Sequence, residues 1–212
     1  MLDSSPISRS ATNINSREAL RSLYAAPKER ALKKQLPHLD SHCRRFIALS
    51  PFAVVSTTSA SLAMDASPRG GEPGFVKVVD AHTLLIPDSP GNNRLDTLEN
   101  IIDTGRIGLL FLVPGVDETL RANGAAVLSC DDRYLDLCNS ARRRPNLVIE
   151  VTVSEAYLHC AKALMRAELW NPASRVDRSV LPTMGEMLKD QTCSDAPAET
   201  QAEMLARYTE DL

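Results

Sequence analysis

The chain contains no G-x-S-x-G, no Walker-type G-x-x-x-x-G-K-[ST] loop and no G-x-G-x-x-G. A nucleophile-elbow hydrolase, a P-loop nucleotidase and a Rossmann dehydrogenase therefore all lack their local signature. H-E-x-x-H is missing too; His38, His42 and Cys43 are close enough to suggest metal ligands, but without a carboxylate partner they read as surface or packing residues and no metal is expected. Charge of one sign is not in excess. With 24 Lys and Arg against 27 Asp and Glu, the net charge of −3 creates no global field for a polyanion, so no nucleic-acid partner is expected and any anion site must be local. The one dense basic run, Arg142-Arg143-Arg144, lies in a loop closed by Pro145 and reads as a solvated face, with a nucleic-acid or partner patch as the alternative.

Paired cysteines are also absent. Cys43, Cys130, Cys138, Cys160 and Cys193 are odd in number and irregularly spaced with no C-x-x-C, which argues against a disulfide framework or zinc ribbon and favours reduced thiols in the cytoplasm. No run approaches the ~18 apolar residues of a membrane span. The opening residues, Met1-Leu2-Asp3-Ser4-Ser5, lack a basic and then apolar leader, so neither export nor a membrane partner is expected. Aromatic residues make up only 4% of the chain, with a single tryptophan. Trp170 follows an apolar stripe and reads first as packing and second as a ring stacked on a cofactor.

What is present is an ordinary hydrophobic content, 43%, enough for a chain of this length to bury roughly 70% of its unfolded surface. Residues 1–14 are polar, aperiodic and read as a flexible arm. Residues 15–50 read as helical: Asn15 with Glu18 forms a capping pair, Pro27 opens a second run that Pro37 stops, and a third run carries Phe46, Ile47 and Leu49. From Phe52 the period changes to that of strands, with candidates at 52–58, 75–79, 83–87, 107–113, 119–128 and 147–153. Six short strands separated by turns point to a mainly β (α+β) fold, an antiparallel barrel over residues 51–154. Residues 155–212 read as a helical extension, beginning with a helix at 156–169 and packing on the barrel or on a partner.

Chemistry concentrates between residues 67 and 113. Ser67-Pro68-Arg69-Gly70-Gly71 reads as a polar turn. After two strands, Asn93 reads as an N-cap, with Arg94 in the first turn of a helix whose stripe is Leu95, Leu98, Ile101 and Ile102. A cation at a helix start is unfavourable unless an anion sits there, and helix N–H groups with fixed guanidiniums are what a phosphate requires. The competing reading pairs Arg94 with Asp88, Asp96 or Glu99. His159-Cys160 is a further candidate, for a redox thiol or a haem ligand, against the default of a small buried thiol.

The stretches Ser67-Pro68-Arg69-Gly70, Phe75-Val76-Lys77-Val78, Thr83-Leu84-Leu85-Ile86-Pro87-Asp88, Pro90-Gly91-Asn92-Asn93-Arg94-Leu95-Asp96-Thr97 and Gly108-Leu109-Leu110-Phe111-Leu112-Val113-Pro114-Gly115 resemble the pyridoxamine-5′-phosphate-oxidase-like family of flavin-binding split barrels. The likeness continues through Glu118-Thr119-Leu120-Arg121 and into His159-Cys160-Ala161-Lys162. It implies a six-stranded antiparallel split β-barrel with N-terminal and C-terminal helical additions. It further implies a homodimer holding FMN at the subunit interface and an oxidoreductase exchanging hydride or electrons with a small organic substrate. The alternative is a non-catalytic flavin or haem carrier.

Carried over by position, Arg69 and Lys77 face the flavin or its phosphate, and Asn93, Arg94 and Thr97 form the phosphate cradle. Ser67, Pro68, Ile86 and Pro87 line the ring edge, Thr119 reaches in from the other protomer, and Lys162 and Trp170 close the cleft. No catalytic residue is singled out. Two departures bear on the substrate: a Gly/Pro-rich loop at 70–74 separates Arg69 from Lys77, and the C-terminal Trp and Arg pattern of the true oxidases is missing. The resemblance therefore implies the cofactor without implying vitamin B6 as substrate.

Overall fold

The computed structural model describes residues 13–88, 91, 93–140 and 143–209. Residues 1–12 of the flexible arm expected at 1–14, and the residues Pro90, Asn92 and Arg142 of the motifs above, lie outside the described residues. The chain divides into two units, Met1–Gln35 and Leu36–Leu212. The first holds helices α1 (Arg17–Ser22) and α2 (Glu29–Lys33), neither with a buried residue. Ser16, not Asn15, caps α1, its hydroxyl accepting the Ala19 N–H at 3.0 Å. Either residue type caps well, and the choice falls on the one three positions before a free first-turn amide.

The second unit opens with α3 (Ser41–Leu49), capped by Asp40, which accepts the Cys43 N–H at 2.8 Å and turns Cys43 and Ile47 into the core. Then follow β1 (Phe52–Thr58), β2 (Met64–Gly70), β3 (Lys77–Val78), β4 (Thr83–Pro87), α4 (Asp96–Thr104), β5 (Arg106–Leu112), β6 (Thr119–Ser129), α5 (Asp132–Leu137), β7 (Val148–His159), α6 (Lys162–Ala167), α7 (Met184–Thr192) and α8 (Gln201–Thr209). All strands join one antiparallel sheet in the order β2-β1-β5-β6-β7-β4-β3. The α+β class with helical additions holds, but the sheet is open and has seven strands rather than six.

The seventh strand is β2, where the sequence suggests a turn. Polar side chains, with Pro68 among them, give this segment no apolar signal, yet its backbone pairs with β1 from Phe52↔Gly70 to Thr58↔Met64. An edge strand tolerates a proline because one side of its backbone needs no partner. Residues 75–79 shorten to the two-residue β3. At the other end, β7 runs on to His159 and consumes the first turn of the helix expected at 156–169. Pairing with β6 down to Thr119↔His159, and the reciprocal bonds between Leu36 and Ala156 at 3.0 and 2.8 Å, hold that segment extended. No helix is expected at α5, yet Asp131 caps it by accepting the Arg133 N–H at 2.9 Å, and its Leu135 packs with Cys138, Leu85 and Val148 in a second small core.

The main core takes the odd positions of β1 and β5, the even positions of β6, and Leu84 and Ile86 of β4. Helices α3 and α4 cover it through Ile47, Leu98 and Ile101. Two hydrogen bonds seat α4 on β1: Asn100 Nδ2 donates to Thr57 Oγ1 at 3.0 Å, and Thr104 Oγ1 donates to the Thr58 carbonyl at 3.0 Å. Gly105, at φ +61°, ends the helix and donates back to the Ile101 carbonyl. These contacts fix where the other end of α4 lies, which is beside β2.

A candidate anion cleft between β2 and the start of α4

The start of α4 differs from the expected one. Asn93 does not cap it. Leu95 is the N-cap, in the left-handed region at φ 61°, and no side chain accepts a first-turn N–H. Asn93 is left-handed as well, at φ 57°. Holding a leucine there costs on the order of 1–2 kcal/mol. The amides of Asp96, Thr97 and Leu98 have no acceptor within the helix by its geometry, and the N-cap residue Leu95 has no side chain that could supply one. The acidic first turn, Asp96 and Glu99, complements the helix dipole.

This helix end forms one wall of a cleft of about 410 Å³. The opposite wall is β2, whose period of two sends Asp65, Ser67 and Arg69 to one half-buried face and leaves Ala66 and Pro68 exposed. Five of the twelve residues carried over from the family therefore meet in one place: Ser67, Arg69, Asn93, Arg94 and Thr97 all line the cleft. The other seven lie elsewhere. Pro68 is on the outer face of β2. Ile86 is in the core, with Pro87 half-buried beside it. Lys77 is half-buried, its Nζ donating to the Gly74 carbonyl at 3.0 Å. Thr119 is buried opposite His159 in the sheet. Lys162 is exposed at the first position of α6, and Trp170 donates its indole N–H to the Val116 carbonyl at 2.9 Å.

The cleft's electrostatics are mixed. Arg94 donates from Nε to Asp96 Oδ2 at 2.7 Å and from Nη2 to Oδ1 at 3.4 Å, so the competing pairing named from the sequence is formed. This fork raises the Arg94 guanidinium and lowers the Asp96 carboxyl. Both groups are largely solvated, with side chains 72% and 47% exposed, so the pair holds little energy and yields readily to a better anion. Asp65 accepts the Thr97 hydroxyl at 2.6 Å, which ties β2 to α4 across the floor. Among the described residues, the Arg69 side chain makes no hydrogen bond or ion pair.

Of the other lining residues, Asp65 and Asn146 were not singled out in the sequence, Asp88 was named only as a partner for Arg94, and Arg143 only as part of a basic run. Asp65 was findable, since it sits two and four residues before Ser67 and Arg69 and shares their strand face once β2 is recognised. Arg143 had no such signal, because it reaches the cleft from the loop after α5.

The remaining candidates lie apart. His38 stands edge-on to His82, with ring centroids 6.1 Å apart. Among the described residues, no three His, Cys, Asp or Glu side chains cluster as metal ligands, and no helix is long and apolar enough to cross a membrane. His159 lies against Tyr157, centroids 5.1 Å apart, and Cys160 is exposed. Cys43 and Cys138 are buried, and burial pushes each thiol up to about 11, with Asp40 adding to the effect at Cys43. At pH 8 only roughly a thousandth of each is thiolate, the reactive form. In a DTNB titration of the native protein at pH 8, Cys43 and Cys138 are expected to react only after denaturant is added. Reaction of either at the rate of Cys130 would show that the burial is transient.

The profile of pyridoxamine 5′-phosphate oxidase matches residues 39–160, more than half of the 212 residues and the whole of the sheet. This chain belongs to the pyridoxamine 5′-phosphate oxidase family. The match takes in both cleft walls, β2 and α4, and also α5, and it ends just after β7. Among solved structures, HupZ from Group A Streptococcus shares 18% identity over 56% of this chain and 92% of its own, with a TM-score of 0.47. An FMN-binding protein from Syntrophomonas wolfei shares 12% identity over 55% of this chain and 83% of its own, with a TM-score of 0.45. No curated protein matches the chain.

Proposed function

We propose that the protein binds FMN, with the phosphate seated between β2 and the start of α4, and acts as an FMN-dependent oxidoreductase on a small organic molecule. The observation that carries this reading is the convergence of Ser67, Arg69, Asn93, Arg94 and Thr97 on one cleft beside an uncapped nine-residue helix. The donor set fits a phosphate monoester. Backbone amides of Asp96, Thr97 and Leu98 and the guanidiniums of Arg69 and Arg94 are all donors, and charge-assisted bonds of this kind contribute about 1.5–3 kcal/mol each. The cleft volume of about 410 Å³ falls in the size range of cofactor sites. When bound, the flavin supplies the hydride and electron chemistry, while the protein anchors it and sets its electrostatics. Lys77 is engaged by the Gly74 carbonyl, so Arg69 is the cation available to the ligand.

Under this reading the protein is a homodimer with the cofactor at the interface. The sheet face away from the core supports it, for Phe52, Val54, Leu110 and Leu112 lie there with Arg121 and Tyr157, all incompletely buried in one chain. A half-covered apolar face of this kind marks an interaction surface.

The test is titration with FMN followed by flavin fluorescence. Arg94→Ala is expected to weaken FMN binding by more than about tenfold while leaving the fold intact, since it removes a surface contact and no core volume. Equal affinity of both proteins would reject the phosphate role of Arg94. Bound flavin that no NAD(P)H or organic donor bleaches would instead mark a carrier.

A further inference from the structure

We infer that Arg143 is a third cationic anchor for the phosphate group, presented to the cleft by its neighbour Arg144; this rests on the phosphate reading above. Arg143 lines the same cleft as Arg69 and Arg94, although it comes from the loop between α5 and β7. Its backbone is fastened locally: its N–H donates to Ser140 Oγ at 3.1 Å, and its carbonyl accepts from that hydroxyl at 3.0 Å and from the Ser140 N–H at 3.2 Å. On the other side, Arg144 spans one turn of α5, donating to Asp132 at 2.6 Å and to Asp136 at 3.0 Å. Each ion pair is solvated and weak alone, but together they fix the direction in which the chain passes Arg143. The two arginines thus divide the work. Arg144 is consumed by α5, while the Arg143 guanidinium has no hydrogen bond or ion pair among the described residues.

Charge balance explains why a third cation is needed. The cleft carries Asp65, Asp88 and Asp96 against Arg69, Arg94 and Arg143. Without Arg143 the carboxylates outnumber the guanidiniums, and a phosphate dianion would enter a negative site. With it the walls are neutral, and the helix amides tip the balance toward an anion.

The experiment compares the wild-type protein with Arg143→Ala, Arg143→Lys and Arg144→Ala, using FMN and riboflavin as probes in fluorescence titrations at two salt concentrations. Arg143→Ala is expected to weaken FMN about tenfold, to reduce the salt sensitivity of binding, and to leave riboflavin affinity and the melting temperature of the ligand-free protein unchanged. Arg143→Lys should recover part of the loss, and Arg144→Ala should show a smaller loss than Arg143→Ala. Unchanged FMN affinity in Arg143→Ala, or equal losses for FMN and riboflavin, would overturn the anchor role while the flavin site stands. A wild-type protein that binds FMN no better than riboflavin would instead remove the phosphate reading itself, and the role of Arg143 with it.

Discussion

Phe111→Ala is expected to destabilise the protein by about 3–5 kcal/mol, the usual cost of truncating a fully buried phenylalanine. Phe111 is the largest side chain with no solvent exposure, and it lies in β5 between Ala53 of β1 and Leu120 of β6. Its neighbours sit on paired backbones that cannot close the gap without breaking ladder bonds, so most of the cavity would persist. A loss of this size is a large part of the roughly 5–15 kcal/mol that holds an ordinary domain together. Urea denaturation would measure it, and a loss below ~1 kcal/mol would mean that the core repacks. The change also bears on the cleft. Ala53 pairs with Phe111 on one side and with Arg69 on the other, so any shift of β1 reaches the guanidinium through one strand.

The strands that build the core were legible because their side chains alternate or run apolar. In β4 and β5 the buried run or alternation is written in Leu, Ile and Phe, whereas β1 and β6 turn smaller residues inward, Ala53 and Val55 in one and Leu120, Ala122 and Ala126 in the other. Strand β2 hid itself for the opposite reason. Its inward positions are Asp65, Ser67 and Arg69, and a strand whose inner face is a polar cleft carries no hydrophobic period. The late helix, real only as α6, was read too long through a coincidence of spacing. Leu158, Leu164 and Met165 fit a helical stripe, but Leu158 belongs to β7 and Met165 is exposed. Long-range pairing with β6 outweighed local propensity.

Of the candidate cleft, five lining residues were legible in the sequence and the geometry was not. Ser67, Arg69, Asn93, Arg94 and Thr97 were assembled by likeness to a family, and the fold brings them together. The pattern could not place the helix start at Leu95, because a left-handed leucine is a choice that tertiary contacts impose. Nor could it bring in Arg143, whose approach depends on α5 and on the ion pairs of Arg144. The part of the cleft nearest in sequence was readable along the chain, whereas the wall delivered by topology was not.

Gly124→Val is expected to lower stability by about 3 kcal/mol or more, at or beyond the upper end of the ordinary range for overpacking. A Cβ at Gly124 would overlap the Thr152 carbonyl oxygen and stand 2.9 Å from the Thr152 carbonyl carbon. These are backbone atoms of the paired strand, so no side chain can swing aside. Gly124 also sits at the register shift between Asn123 and Gly124, where Ser154 of β7 is left over as an extra residue and its hydroxyl donates to the Asn123 carbonyl at 3.1 Å. The bulge has a purpose visible in burial. On β7 the positions facing the main core are Ile149, Val151 and Val153 before it and Ala156 after it, so one extra residue switches parity and keeps both halves on the same core. Forcing β6 away from β7 at this point would disturb the longest pairing in the sheet, which carries the chain from the α5 loop of Arg143 to the far face at His159. Thermal unfolding is the first measurement, and the FMN affinity of whatever folds is the second. A Gly124→Val protein with unchanged melting temperature would show that β6 and β7 separate there at little cost, and that the bulge does not hold the sheet's register.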